Sequence, residues 1–134
     1  MNATGAIRAM IVADSPANTL LSGRIYTDRI SVGQTLPYAV IQHISTRPNA
    51  TKTGASDVDF CRVQIDVYGS TAVQADSVFE AIRAAIDYTS EVAVTVDGTT
   101  VNVGRIDLEN YYGGLVPETE NYRRTADYSV YAKN

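Results

Sequence analysis

The sequence predicts an α+β fold: a mostly antiparallel β-sheet, a long helix packed across one face, and a short N-terminal helix. Three observations predict it. Val, Thr and Tyr, types that suit a half-buried pleated surface, make up more than a quarter of the 134 residues. Residues 57–68 alternate, with Cys61, Val63, Ile65 and Val67 on one face and Phe60, Arg62, Gln64, Asp66 and Tyr68 on the other. Ala75, Val78, Phe79, Ile82, Ala85 and Ile86 recur at helical spacing directly afterwards. One domain over residues 1–134 is expected, because a chain of this length can bury a core without disulfides or a structural metal.

The elements follow in order. Ile7, Met10 and Ile11 share a helical stripe within residues 4–14, and Ser15–Pro16 should stop that helix. Leu20 and Leu21 make a further apolar turn, closed by Ser22–Gly23. Arg24–Thr27 reads as a brief strand, followed by a polar loop around Gly33. Leu36–Pro37 opens an extended run from Tyr38 to Thr46. Arg47 to Ser56, rich in Pro, Asn, Thr, Lys and Gly, is expected to be a long mobile connection. The strand 57–68 ends at Gly69, and Thr71–Gln74 has the form of a capping box opening a helix that runs to about Tyr88. Asp76, Glu80, Arg83 and Asp87 should lie largely on the solvent side of that helix.

Asp97–Gly98 suits a two-residue type I′ turn. That register pairs Val96 with Thr99, Val94 with Val101 and Val92 with Val103, and puts all five valines on one face. Ile106–Tyr112 should extend the ladder, Gly113–Gly114 should break it, and residues 116–120 should turn. A last strand, Tyr122 to Ala132, carries Tyr122, Ala126, Tyr128 and Val130 on one face and Arg123, Thr125, Asp127 and Ser129 on the other.

Composition excludes several functions. A net charge of −4 argues against a free-standing nucleic-acid binder. Cys61 is the only cysteine, so neither an intrachain disulfide nor a Cys-based zinc site can form. No apolar run approaches the ~18 residues of a membrane span, and the N-terminal apolar stretch, Ile7 and Met10–Ala13 interrupted by Arg8, is too short for a secretory signal. Asn2–Ala3–Thr4 and Asn49–Ala50–Thr51 then read as chance glycosylation triplets.

Catalytic chemistry is sparse. His43, the only histidine, lies inside an apolar strand and reads as structural. No nucleophile elbow, Walker loop or dinucleotide fingerprint is present, and no cofactor is expected. Asp57–Val58–Asp59 and Glu118–Thr119–Glu120 place paired carboxylates on one strand face, as cation ligands or an acid–base pair would need; solvated loop edges explain them as well. Tyr111–Tyr112 cannot both face one core from a strand, so at least one is exposed or covered by a partner.

The order of these pieces resembles the small tail-completion, or tail-terminator, proteins of long-tailed bacteriophages. The likeness rests on the Ile7–Met10–Ile11 helix, Gly23–Arg24–Ile25–Tyr26, and Leu36–Pro37–Tyr38 opening the strand Ala39–Ser45. It continues through Arg62–Gly69 and the helix with Ala75 and Ile82, and so spans residues 1–90. The resemblance implies a structural virion protein without catalytic residues. Such a protein forms a homo-oligomeric ring, usually a hexamer, on the head-proximal end of the tail. There it stops growth of the tail tube and offers a docking surface to the head-side connector, and DNA passes through it without specific binding. The assembly site would be the bacterial host's cytoplasm. Another neck component, such as a head-closure or adaptor protein, is the alternative; a small enzyme or ligand-binding α+β domain is a third reading.

Charge suggests how subunits would meet. Residues 1–56 sum to +3 and residues 57–97 to −6, so a subunit could present complementary patches, as a heterologous ring contact requires. Arg47 and Lys52 on one side and Asp57 and Asp59 on the other are the candidates, with Tyr111 and Tyr112 for the burial. Alternatively the acidic excess lines the channel.

Overall fold

The break at Ser15–Pro16 divides two helices instead of ending one. The computed structural model describes residues 3–28, 35–51, 54–87, 90–116 and 121–133, and in it α1 (Ala3–Ala13) is followed at once by α2 (Ser15–Leu21). Asp14 adopts extended backbone and its carboxylate accepts the Ala17 N–H at 3.1 Å, so Asp14 is the N-cap of α2. Pro16 then sits in the first turn, where its missing N–H has no partner to lose. Ser22, left-handed at φ 49°, closes α2.

Six strands follow: β1 (Ile25–Thr27), β2 (Tyr38–Thr51), β3 (Gly54–Gly69), β4 (Ser90–Val96), β5 (Thr99–Val116) and β6 (Asn121–Lys133), with α3 (Ala72–Ile86) between β3 and β4. They form one sheet in the order β1-β2-β3-β6-β5-β4. Among the described residues β1 runs parallel to β2 and every other pairing is antiparallel. The predicted polar loop around Gly33 and the turn at 117–120 lie outside the described residues.

Two expectations are corrected here. Residues 47–56 are not a mobile connection, since β2 and β3 keep pairing at Arg47↔Phe60, Pro48↔Asp59, Ala50↔Ala55 and Thr51↔Gly54; residues 52 and 53 are outside the description. Register shifts at Ile44 and Asn49 absorb the irregular residues, and β1 covers only Ala39–Ile41, so Pro48 sits on a free edge where it breaks no ladder. The β3–β6 ladder begins at Val58, so the part of the β2–β3 hairpin beyond it is a two-stranded arm. Gly113–Gly114 does not break β5, because both glycines pair with β6, opposite Arg124 and Arg123. A Cβ on Gly113 would come within 2.5 Å of the Arg123 carbonyl oxygen, so glycine permits a close approach of backbones there.

The predicted hairpin forms in the predicted register, with Asp97 and Gly98 at φ 49° and 78°. The predicted cap on α3 also forms: the Thr71 hydroxyl accepts the Gln74 N–H at 3.0 Å. Gln74 turns its Oε1 back to the N–H and hydroxyl of Ser70, at 2.8 and 2.9 Å, one residue before the usual capping-box partner. α3 buries Ala75, Val78, Phe79, Ile82 and Ile86, on the face of the sheet that carries Cys61, Val63, Ile65, Val67, Ala126, Tyr128 and Val130. α1 lies on the same face and touches β1 and β2 towards one edge and β4 at the other. The sheet therefore curls round α1, and its opposite face is left without a helix.

Candidate interaction surface

Alternation along β3 sends Phe60, Arg62, Gln64, Asp66 and Tyr68 to that helix-free face, and register then decides what meets them. At the level of Phe60 four strands contribute a single row, Arg47↔Phe60↔Tyr131↔Arg105. The Arg47 guanidinium stands 5.4 Å above the Phe60 ring, Phe60 meets Tyr131 edge to face at 4.9 Å, and Arg105 stands 5.9 Å above Tyr131. Cation–π and edge-to-face contacts thus run across the sheet from β2 to β5. Arg105 Nε also donates to Asp107 at 2.7 Å. The next row places Arg62 between Ser45 and Ser129. Ser45, Arg47, Phe60, Arg62, Ser129 and Tyr131 line an open recess of about 580 Å³. Neither Arg47 nor Arg62 takes part in any of the ion pairs formed between described residues.

Farther along the same face Asp66 is 8% exposed and Thr125 1%. The Thr125 hydroxyl donates to Asp66 Oδ1 at 2.6 Å. Burial raises the Asp66 carboxyl above the ordinary range; the Thr125 hydrogen bond and the charge of Arg123 partly oppose that, and Asp127 adds to it. Beside it Tyr38 stacks on Tyr68 at 4.8 Å, and Tyr26 meets Tyr38 edge-on at 6.1 Å.

The predicted site residues divide. Arg47 belongs to the row just described. Lys52 lies outside the described residues. Asp57 falls on the arm strand of β3, and Asp59 pairs with Pro48, one position from Arg47. The two linear charge blocks therefore meet on one hairpin, where alternation sends Arg47 to the helix-free face and Asp59 to the opposite one. Tyr111 and Tyr112 point to opposite faces. Tyr111, 39% exposed, stacks on Phe79 of α3 at 4.2 Å and its hydroxyl donates to Asp76 Oδ1 at 3.0 Å. Tyr112, 44% exposed, lies on the helix-free face, where its hydroxyl accepts from Gln64 Nε2 at 3.2 Å. Asp76 does not face only solvent, as the helical wheel suggested. Arg124 Nε donates to it at 2.6 Å, and this bond is the main reason its carboxyl is lowered.

His43 and Cys61 are linked through one hydroxyl: His43 Nε2 lies 2.6 Å from Thr46 Oγ1, which lies 3.5 Å from Cys61 Sγ. Burial pushes the thiol up, away from the thiolate that a nucleophile needs. Among the described residues no three His, Cys, Asp or Glu side chains converge to hold a metal, and no helix is long and apolar enough to cross a membrane.

Sequence reasoning had the Phe60–Arg62 face but missed Arg105, Tyr131 and the recess. Their alignment depends on the register shift between Val103 and Arg105, whose local signal is Gly104, an isolated glycine inside a strand pattern.

Comparison with known proteins extends the picture. Residues 5–132 match a family described as tail completion protein gp17. No curated protein sequence matches the chain. Among solved structures, a chain from the virion of a native gene transfer agent particle has the same fold, with a TM-score of 0.77 at 13% identity, over 98% of this chain and 95% of that one.

Proposed function

Because the chain belongs to the tail completion protein gp17 family, a family of structural virion proteins, we propose that it is a tail terminator that closes as a ring on the head-proximal end of the tail. Six copies cap the tail tube, stop its growth and present a docking surface to the head-side connector, and DNA passes through without specific contacts. The observation that carries this reading is the family match, which continues past residue 90 and takes in the β4–β5 hairpin and β6.

The subunit's shape supports it. A closed ring needs two different patches on each subunit, and this one has a helical layer on one side, a helix-free polar face on the other and a two-stranded arm at one end. The proposed ring contacts are Asp57 on the arm, Arg47 and Asp59 at its base, the exposed Tyr112, and Lys52, which lies outside the described residues. Tyr111, committed to Phe79 and Asp76, has a structural role instead.

Light scattering on the purified chain, alone and with tail-tube protein, tests the reading. The expected mass is six times that of the subunit. A strict monomer under both conditions, together with tails of normal length from particles lacking the protein, would refute it.

A further inference from the structure

The polar and aromatic side chains of the arginine-flanked recess on the helix-free face lie outside the hydrophobic core. Its rings are already engaged, Phe60 edge-on to Tyr131 with Arg47 and Arg105 above them. What the recess still offers a ligand is the Arg47 and Arg62 guanidiniums and the two flanking serines, with Arg105 beyond its far rim already giving its Nε to Asp107, and that set is suited to oxyanions. By strand spacing Arg47 and Arg105 are about 14 Å apart across three strand intervals, with Arg62 about 7 Å along from their row.

We propose that this recess receives the carboxylates of an acidic, extended segment of another protein of the particle. Two observations favour a protein over nucleic acid. One face of each ring already carries a guanidinium and the rings meet edge to face, which leaves little room for the base stacking that holds single strands. The chain as a whole is acidic, at −4, so it lacks the continuous basic track that a phosphate backbone requires. An extended chain advances about 3.3 Å per residue, so acidic side chains four residues apart span the distance from Arg47 to Arg105. The partner is called a virion protein on the strength of the ring reading; the binding chemistry stands apart from it.

The test is fluorescence anisotropy of a labelled hexaglutamate peptide titrated with the full chain at low salt, with light scattering run alongside. Binding should saturate, weaken as salt is raised, and fall about tenfold in Arg62→Ala and further in the Arg62→Ala/Arg105→Ala pair. The corresponding Lys variants, which keep the charge and lose the fork, should fall between. Arg83→Ala, whose guanidinium is held by Asp87 at 2.6 Å at the C-terminal end of α3, should bind as the parent does. Circular dichroism confirms that each variant is folded. Peptide affinity unchanged in the double variant would overturn the proposal. So would a 20-nucleotide single strand that binds more tightly than the peptide and depends on the same arginines. Loss of self-association in the variants with no peptide binding in the parent would assign the recess to the ring contact and overturn it too. Normal rings with the expected loss of peptide affinity support it, and a chain that forms no ring yet binds the peptide as described separates it from the ring reading.

Discussion

Tyr128 is the largest of the fully buried side chains among the described residues. Its hydroxyl faces the Asp87 carboxylate, an acceptor within its reach, although the two are not drawn into full hydrogen-bond geometry. Burial, reinforced by that carboxylate, holds the phenol far above its ordinary range. Tyr128→Phe removes the hydroxyl that faces Asp87 and should cost about 1–2 kcal/mol, whereas Tyr128→Ala should cost about 3–5 kcal/mol; thermal denaturation of both distinguishes packing from polarity. Asp66 makes a second case. Its carboxyl is raised in the folded chain, so its contribution to stability is fullest below the unfolded carboxylate value of about 3.9 and is lost as pH rises through the folded value. Asp66→Asn should therefore melt above the parent at pH 7, and the gap should narrow as the pH falls towards 4. Alternation along β3 correctly placed Asp66 away from the core. Its burial was not legible, because it comes from Thr125, 59 residues away, and from its strand neighbours.

Elements were legible where two local signals agreed. The β4–β5 hairpin combined a turn dipeptide with alternation, and α3 combined a cap with an apolar stripe; both formed as read. The arm was misread because composition was the only signal, and Thr-rich stretches that look like loop also suit strands. Gly113–Gly114 was misread because a glycine pair reads as a breaker unless the opposing backbone is known. Gly113→Ala should consequently cost about 1–3 kcal/mol, the range for an added atom with no room to move, with Gly114→Ala cheaper because nothing stands within 4 Å of its added Cβ. Chemical denaturation of the two variants checks this. Ile65→Ala, in the middle of β3 and fully buried, should cost about 2–5 kcal/mol; a loss well under 1 kcal/mol would be inconsistent with the layer arrangement.

At the scale of the whole molecule, the order of helices and strands carried the family likeness, since spacing survives when individual residues do not. The two charge blocks meet where β2 and β3 pair, because residues far apart in sequence become neighbours across a hairpin. If the arm is a ring contact, shortening it by Asn49–Gly54 should leave the melting temperature of the isolated subunit nearly unchanged, because β6 does not pair with it, and should block ring formation. Normal infectious particles from that deletion would refute the contact. The position of α1 has a further consequence for how the protein is made. This helix is translated ahead of part of its seat, β4, which begins 87 residues after α1 does, at Ser90. At about 5–20 residues per second that interval is several seconds, during which Ile7 and Ile11 have no finished surface to cover them. Closure of the curled sheet round α1 must therefore wait until β4 has left the ribosome.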